Sequence, residues 1–251
     1  MSRRSVLIAL VAILLIWQLL AWLVNLPILP SPLTVAAAFW EEVIHGQLLQ
    51  HFAASLWRVL ASMLVSVLLA APAGLMLGQS PRFNRVFSPV IYLLYPIPKV
   101  VLVPVVLLFL GIGDLAKITI IFLILFFQIL VLVRDQAAAL RPELILSVRS
   151  LGAGRRALFR YVYLPASLPA ILTALRQSVG TAVAVLYVAE LFATQYGLGY
   201  YIYLNGSSLL NYPAMYAGIL AMSLMGMLLY FSIELAERYA CPWLSALKSA
   251  E

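Results

Sequence analysis

Long apolar runs separated by short polar segments dominate the pattern of this chain. A helix needs about 20 apolar residues to cross the hydrocarbon core of a bilayer, and six stretches come close to that length. The six candidate spans are Val6–Val24, Ala53–Leu77, Ser88–Leu110, Leu115–Val133, Ala170–Phe192 and Pro213–Leu235. None of them shows the dyad alternation that a membrane β-barrel requires. The pattern therefore predicts an all-α membrane protein, with six transmembrane helices in one domain over residues 1–251.

Composition supports the same prediction. Hydrophobic residues make up 65% of the 251 residues and charged residues only 10%, whereas about a quarter of a typical soluble domain is charged. This hydropathy argues against a disordered or nucleic-acid-binding protein. The single cysteine, Cys241, excludes an internal disulfide framework and provides no metal cluster. His45 and His51 have no acidic or cysteine cluster beside them, so no metal site is predicted.

The loop cations predict the orientation of the spans. Lys and Arg accumulate in cytoplasmic loops. Arg82 and Arg85 follow the second span, and six arginines lie between the fourth and fifth spans. The segment between the first two spans, 25–50, has no Lys or Arg and carries two glutamates. One orientation places nearly every loop cation on the same side, which predicts six spans with both termini in the cytoplasm.

The loop before the fifth span has a distinctive local pattern. It extends over 134–169, which is longer than the usual connection between helices. Two helix-like pieces, Pro142–Leu151 and Arg155–Tyr163, flank a turn at Gly152, where a left-handed backbone is available to glycine. Two prolines that end this loop, at 165 and 169, are expected to stop the second piece and set the entry angle of the fifth span. The pattern predicts a short helix–turn–helix on the cytoplasmic membrane surface.

The sequence of this loop, SLGAGRRALFRYVYLPASLPAIL, resembles the signature of binding-protein-dependent ABC importer permeases. That signature reads Glu-Ala-Ala, three residues, Gly, nine residues, Ile, one residue, Leu-Pro. Its glycine falls on Gly152, its apolar position on Val162 and its Leu-Pro on Leu164 and Pro165. The Glu-Ala-Ala triplet falls on Leu146-Ser147-Val148, so the glutamate of the signature is absent here.

The resemblance extends beyond this loop to the nitrate/sulfonate/taurine-type branch of the family. The further stretches that carry it are SPLTVAAAFWEEV, HFAASLWRVLASMLVSVLLAAPAGLMLG, YPIPKVVLVPVVLLFLGIGDLAKI and AVLYVAELFATQYGLGYYI. The resemblance implies the type I ABC importer permease fold with a cytoplasmic coupling helix. It also implies an inner-membrane location in a prokaryote.

The resemblance further implies how the chain works and with which partners. The expected partners are two ABC ATPase subunits, an extracytoplasmic solute-binding protein and a second permease copy, with membrane lipid around them and no nucleic acid. The chain binds no cofactor, and the partner ATPase uses ATP and Mg. The solute is a small anion such as nitrate, a sulfonate or taurine, or alternatively a vitamin or heterocyclic precursor. The expected ATPase-coupling residues are Arg149, Gly152, Ala153, Arg155, Arg156, Phe159, Val162, Leu164 and Pro165.

The third span contains a charged and broken stretch at membrane depth. Pro96 and Pro98 each remove a backbone donor, which a membrane helix tolerates where neighbours or a wet cavity satisfy the freed carbonyls. An ammonium group near mid-span is costly, so Lys99 is a candidate functional residue. We predict that Tyr95, Pro96, Pro98 and Lys99 line the translocation path, where Lys99 attracts an anionic solute. The alternative is a lysine that snorkels or pairs across the permease dimer.

Glu190, near the outer end of the fifth span, is a further candidate for the path. It could gate the path or pair with Lys99 or Arg58, or it could be an interfacial carboxylate with access to water. An intramembrane enzyme would need a base–nucleophile pair, which the scattered charges do not supply. The chain has no glycine-rich phosphate loop, so it is not itself the ATPase. An ion-coupled secondary carrier is the remaining alternative, although only one span is broken as such carriers require.

Overall fold

A computed structural model describes residues 3–192 and 194–243, except for the side chains of Arg3 and Arg155. The described chain is helical and contains no strand. The helices are α1 (Arg3–Val24), α2 (Pro32–Ile44), α3 (Leu48–Gln79), α4 (Pro81–Leu94), α5 (Val103–Leu110), α6 (Asp114–Ala138), α7 (Pro142–Ser150), α8 (Arg155–Leu158), α9 (Leu164–Leu191), α10 (Leu198–Tyr203) and α11 (Tyr212–Ala240). A 3₁₀ turn, Lys99–Leu102, precedes α5, and π turns follow α8 and α10 at Phe159–Tyr163 and Leu204–Ser208.

Five of the six predicted spans are confirmed as long apolar helices within the described residues: α1, α3, α6, α9 and α11. The third predicted span, Ser88–Leu110, is wrong as a single helix. Here α4 and the segment Lys99–Leu110 are bent by 76° relative to each other. Pro96 and Pro98 lie at the break, where each lacks the N–H that would continue the helical ladder. The prolines that suggested a broken span therefore divide it into two helices.

Helix α2 follows the first span and begins at a capped residue. Ser31 is its N-cap, and the N–H of Thr34 donates to the Ser31 hydroxyl at 3.2 Å. Pro32 occupies the first helical position, where its missing N–H costs no intrahelical bond. Local capping chemistry thus determines where this helix begins.

Helices α3 and α6 pack side by side along a ridge on α3 whose members recur every four residues. Each member contacts, or closely approaches, the α6 residue 56 positions further along the chain. The pairs are Arg58 with Asp114, Ser62 with Ile118, Ser66 with Phe122, Gly74 with Leu130 and Gly78 with Arg134. A constant separation means that the two helices run parallel. Small residues on the ridge allow the backbones to approach closely, as in many membrane helix pairs.

The parallel arrangement of α3 and α6 determines the path of the segment between them. This segment contains the bent pair, which is formed by α4 and Lys99–Leu110. From Arg58 to Gly78 the contacts extend over 20 residues, or about 30 Å of helix, which is the thickness of the hydrocarbon core. The chain leaves the end of α3 and must return to the level at which α6 begins. The segment Pro81–Leu110 therefore covers the same distance in the opposite direction, which makes the bent pair the candidate sixth span.

The described chain divides into two compact units. One comprises the residues up to Leu56 together with Glu190–Met225, and the other comprises Trp57–Ala189 with the residues from Gly226 onward. The first unit contains α1, α2 and α10. The second contains the bent pair, α6 and the loop helices α7 and α8. Long helices α3, α9 and α11 contribute to both units.

Candidate functional site

The turn between α7 and α8 is closed by a glycine in the left-handed conformation. Gly152 has a φ of 80°, a value that a residue with a Cβ rarely adopts. Its N–H donates to the carbonyl of Arg149 at 2.9 Å, and the N–H of Ala153 donates to the carbonyl of Val148 at 3.4 Å. These two bonds form a Schellman motif, which satisfies the last carbonyls of α7. The predicted turn at Gly152 is confirmed, and it sets the direction in which the chain enters α8.

The second helical piece of the loop continues directly into the fifth span. We expected Pro165 and Pro169 to stop that piece, and this expectation is wrong, because helical structure runs without interruption from Arg156 to Leu191. The intervening π turn, Phe159–Tyr163, ends with the N–H of Leu164 donating to the carbonyl of Phe159. The hydrogen-bond register therefore changes just before Pro165, where the missing N–H of proline is least disruptive. The loop is thus connected rigidly to α9.

The predicted coupling residues divide into exposed and buried groups. The exposed ones are Arg149, Gly152, Arg156, Phe159 and Leu164. Ala153 and Pro165 are half-buried, and Val162 is only 6% exposed. The backbone of Arg155 belongs to α8, and its side chain lies outside the described part of the structure.

An apolar hollow of about 260 Å³ lies between α7 and the start of α9. Val148, Val162, Pro165 and Trp243 are among its lining residues. Val162 is therefore a packing residue that holds the loop in place. The exposed arginines and Phe159 are free to contact a lipid headgroup or another protein.

A cavity of about 360 Å³ lies at the bend of the third span. Tyr95, Pro98 and Lys99 line it, so three of the predicted path residues lie together. The Lys99 ammonium donates to the carbonyls of Leu94 at 2.9 Å, Tyr95 at 2.9 Å and Ile97 at 3.2 Å. Backbone acceptors left without partners at the end of a helix are commonly satisfied by a cation. The lysine thus caps the broken end of α4 from within the cavity.

Two aromatic rings also contact the Lys99 ammonium. It lies 4.7 Å from the ring centroid of Phe127 and 5.8 Å from that of Tyr95, both within cation–π range. A positive charge in this position is surrounded by carbonyl dipoles and π faces. Carbonyl dipoles and aromatic faces, rather than a carboxylate of the described residues, therefore stabilise a positive charge at this position.

Pro96 faces a different cavity, of about 430 Å³, which also contains Tyr92, Ser88 and Arg134. Tyr95 lines both cavities and so forms a wall between them. The Arg134 guanidinium bonds to the neighbouring Asp135 carboxylate at 2.7 and 2.8 Å. The charge of Arg134 at this second cavity is thus partly neutralised by its neighbour.

Glu190 belongs to the first compact unit, where it is fully buried. The Ser55 hydroxyl contacts both carboxylate oxygens, at 2.8 and 2.9 Å, and the N–H of Gly199 donates to one of them at 2.8 Å. The N–H of Leu198 donates in turn to the Ser55 hydroxyl at 2.8 Å. The carboxylate thereby binds the first turn of α10, either directly or through a serine. Its contacts are those of a residue that positions the loop.

The turn that precedes α10 packs tightly against this carboxylate. Gly197 has a φ of 128°, and a Cβ at this position would overlap the Glu190 carboxyl group. Nδ1 of His51 lies 3.0 Å from the Gly197 nitrogen and 3.1 Å from the Gly197 carbonyl oxygen, so the imidazole contacts both polar groups of this glycine. The His51 ring also packs against Tyr201, with their centroids 5.3 Å apart. Loop conformation, carboxylate and imidazole are therefore mutually dependent.

Sequence reasoning overlooked two residues of the Lys99 cavity and two of the Glu190 cluster. Gln128 and Thr181 line the cavity, whereas Ser55 and His51 hold the loop. A signal for Gln128 was present, since it is an isolated polar residue within a predicted apolar span, whereas Thr181 follows several other polar residues of its span. Among the described residues, no group of three His, Cys, Asp or Glu residues could hold a metal ion.

The fold matches that of a solved ABC importer. The structure titled "Inward facing conformations of the MetNI methionine ABC transporter" superposes with a TM-score of 0.69 at 21% sequence identity. The match covers 79% of this chain and 98% of the other. Together with the membrane helices and the Schellman-closed loop, it defines a type I importer permease fold.

The family model described as the binding-protein-dependent transport system inner membrane component matches residues 66–244. The chain belongs to this family. It is the permease subunit of an ABC importer, a multi-pass inner-membrane protein that works with an ATPase and a solute-binding protein. Because the ATPase of such a transporter is a separate chain, the prediction that this chain is not an enzyme is confirmed. Permeases of this family have no cofactor of their own.

Similar proteins of known name indicate the branch. The chain is 32% identical over 216 residues to the taurine transport system permease protein TauC of Escherichia coli K12, which covers 86% of this chain and 78% of TauC. It is 33% identical over 236 residues to SsuC of the same organism, a protein named for aliphatic sulfonate transport, over 93% and 89% of the two chains. The formylaminopyrimidine transport permease protein ThiX of Halalkalibacterium halodurans is 27% identical over 232 residues, or 92% of each chain. The resemblance to the nitrate/sulfonate/taurine-type branch is confirmed.

Proposed function

We propose that the chain forms one permease domain, residues 1–251, which pairs with a second copy of itself and imports a small oxyanion by alternating access. Two copies of the cytoplasmic ATPase would hydrolyse ATP with Mg, and an extracytoplasmic binding protein would deliver the solute. Nitrate, an alkyl sulfonate and taurine are the candidate solutes, because relatives named for sulfonates and taurine match most of the chain. The Lys99 cavity is the observation that supports an anion.

The loop cations support an orientation with both termini in the cytoplasm. Since α3 and α6 are parallel, the segments that follow them leave the membrane on the same side. One segment carries Arg82 and Arg85, and the other carries the arginines between Arg134 and Arg160. The positive-inside rule assigns that side to the cytoplasm. Six crossings then return both ends of the chain to it.

The coupling role of the α7–α8 loop rests on its rigidity and its exposed face. The Schellman turn at Gly152 fixes one end, and the continuous helix into α9 fixes the other. Arg149, Arg156 and Phe159 point away from the packed hollow. A loop that is held rigidly at both ends in this way transmits movement of a docked ATPase to α9. The contacts are made without the family's glutamate, because Leu146 occupies that position.

The translocation path is assigned to the cavity lined by Tyr95, Pro98 and Lys99 and to the adjoining cavity at Pro96. Both lie at the bend of the third span, where irregular backbone is tolerated because it borders a space rather than lipid. Glu190 is assigned to the outer loop as a positioning residue, since it bonds to Ser55 and to the start of α10. That loop faces the side on which a binding protein would dock.

Reconstituted uptake tests this function. The permease, its cognate ATPase and its binding protein are placed in liposomes, and uptake of labelled taurine, ethanesulfonate, nitrate and formylaminopyrimidine is measured. We expect uptake of an anion that requires both ATP and the binding protein and stops with a non-hydrolysable ATP analogue. Uptake driven by an ion gradient without ATP would identify a secondary carrier instead. Import of formylaminopyrimidine alone would support the vitamin-precursor alternative.

A further inference from the structure

The Lys99 ammonium has no hydrogen left for a solute. An ammonium group has three N–H donors, and the carbonyls of Leu94, Tyr95 and Ile97 accept three bonds from it. A solute could gain a bond from Lys99 only by displacing one of these carbonyls. For Leu94 the loss would be hardest to replace, because Pro98 has removed the helical donor of its carbonyl and only the longer bond from the Ile97 N–H, at 3.4 Å, would remain. The geometry therefore favours a lysine that stays bound to the backbone.

The hydrogen-bonding capacity of the same cavity resides in two other side chains. Gln128 of α6 and Thr181 of α9 line it and are half-buried. Neither the Gln128 amide nor the Thr181 hydroxyl makes a side-chain hydrogen bond to any described residue. Polar side chains in membrane spans normally find partners across the helix interface. Two that have none, and that face one cavity, are available to a ligand.

The cavity also has separate polar and apolar walls. Ile97, Val100, Ile124 and Val185 supply apolar surface, whereas the polar groups are confined to Lys99, Gln128 and Thr181. An amide N–H and a hydroxyl both donate to oxyanion oxygens. The space therefore suits a small molecule that combines an anionic oxygen-rich group with a short apolar part.

We propose that Gln128 and Thr181 are the residues that contact the solute, and that Lys99 is a positioning residue. Lys99 holds the bend of the third span and gives the cavity its positive potential, but it donates no hydrogen bond to the solute. The ligand class is a small organic oxyanion, with a sulfonate as the best match to two donors and an apolar wall. This inference rests on the proposed import of an anion and assigns its selectivity to α6 and α9.

Thiol labelling tests the cavity without knowledge of the solute. In the complete complex carrying Cys241→Ala, the variants Gln128→Cys and Thr181→Cys are treated with sulfonatoethyl methanethiosulfonate and, separately, with its trimethylammonioethyl analogue. The thiolate attacks the sulfenyl sulfur, forming a mixed disulfide and expelling methanesulfinate. We expect both variants to prefer the anionic reagent about tenfold, after correction for the rates of the two reagents with free cysteine. Adding Lys99→Met should remove that preference.

Thr173→Cys is the matched control for labelling. Thr173 is a half-buried residue of the same helix, α9, but its hydroxyl bonds to Glu237 and it does not line the cavity. It should show no preference for the anionic reagent. The inference is overturned if the two cavity variants are unreactive, if they show the control's preference, or if Lys99→Met leaves their preference intact.

Uptake separates the three roles. Gln128→Leu and Thr181→Val should each reduce import of the labelled anion by about tenfold or more, because each removes one bond to a charged group. Thr173→Val should import at the wild-type rate. Lys99→Met should lower the thermal midpoint of the complex, as expected of a residue that holds the bend. Wild-type import by both cavity variants would overturn the inference, whereas failure of the unmodified complex to import any anion would overturn the proposed function and leave the labelling result to decide the cavity.

Discussion

The left-handed turn at Gly152 leads to a prediction that a neighbouring glycine controls. A Cβ added at Gly152 or at Gly154 would meet no atom within 4 Å, so neither substitution by alanine creates a clash. Only Gly152 has a positive φ, of 80°. The variants Gly152→Ala and Gly154→Ala therefore differ in backbone strain and in little else.

The expected difference between the two variants can be estimated. Replacing glycine by alanine restricts the unfolded chain and stabilises the folded state by about 0.4–1 kcal/mol at a compatible position, and this gain is common to both sites. The left-handed conformation costs an L-residue about 1–2 kcal/mol, and this cost applies only to Gly152→Ala. A difference of that size reduces the population of the native turn by about 5- to 30-fold relative to Gly154→Ala.

The assay is the affinity of the purified ATPase for the permease in nanodiscs, together with ATP hydrolysis stimulated by the binding protein. If the ATPase docks on the Schellman-closed form of the loop, Gly152→Ala should weaken docking by up to the same 5- to 30-fold factor. Gly154→Ala should dock as the wild type does. Insertion and the yield of folded permease should be normal for both variants.

Wild-type affinity in both variants would refute this reasoning, because it would mean that ATPase docking does not depend on the conformation of the turn. Equal weakening would refute it in a different way, by showing that loss of flexibility, rather than left-handed strain, is responsible. Gly152→Val extends the series, since a β-branched residue is less tolerant of positive φ than alanine.

Three further predictions concern packing, the buried carboxylate and the thiol. Gly78→Ala would place a Cβ 2.5 Å from a carbonyl oxygen of α6 and should lower the thermal midpoint of unfolding, since overpacking costs about 1–3 kcal/mol. Gly180→Ala, with open space around its Cβ, should raise the midpoint or leave it unchanged. The reverse order of the two midpoints would contradict the packing described. Glu190→Gln exchanges charge-assisted bonds for neutral ones and should reduce the free energy of unfolding by about 1–2 kcal/mol. The loss is measurable as a lower thermal midpoint and as faster proteolysis of the α10 loop. Unchanged proteolysis would argue against a positioning role for Glu190. Burial, reinforced by the Glu237 charge, raises the pKa of the Cys241 thiol. The thiolate fraction at pH 8 is therefore small, so thiol labelling of Cys241 should be slower than labelling of free cysteine and should accelerate at higher pH. A labelling rate equal to that of free cysteine at pH 8 would contradict this prediction.

Most of the fold follows from apolar run length, because the bilayer imposes one length on every span. That criterion found α1, α3, α6, α9 and α11. It failed for the third span, since an apolar run has the same composition whether it is straight or bent. The prolines marked where the helix could break, but apolar run length shows neither the 76° bend nor the bonds from Lys99 to the carbonyls of Leu94 and Tyr95.

The parallel register of α3 and α6 was also beyond local pattern reading. Its signal was present in the sequence, as small residues at every fourth position of α3: Ser62, Ser66, Ala70, Gly74 and Gly78. Such a ridge predicts close packing but does not name the partner helix. At one end of the ridge the side chain of Arg58 is buried and pairs with Asp114 of α6 at 2.8 Å. The partner lies 56 residues away, and no local rule reaches that far.

Part of the candidate site could be predicted for a similar reason. Gly152 was identified because a turn needs a residue without a Cβ, and that requirement is local. The roles of Lys99 and Glu190 depend on which atoms surround them after folding. Both residues were selected as ionisable groups at membrane depth. Their partners include backbone groups, which a sequence does not distinguish from one another, and for Glu190 a serine 135 residues away in the chain.

The recurring contacts between α3 and α6 restrict how this protein can change shape. Each residue of the ridge on α3 contacts its own position on α6. Sliding one helix along the other would therefore require every contact to shift by one full turn, about 5.4 Å, at the same time. Smaller sliding movements are excluded, so the two helices move as one rigid pair. Opening and closing of the translocation path must therefore come from rotation of this rigid pair as a whole, or from flexing at the proline break in the segment that connects the two helices.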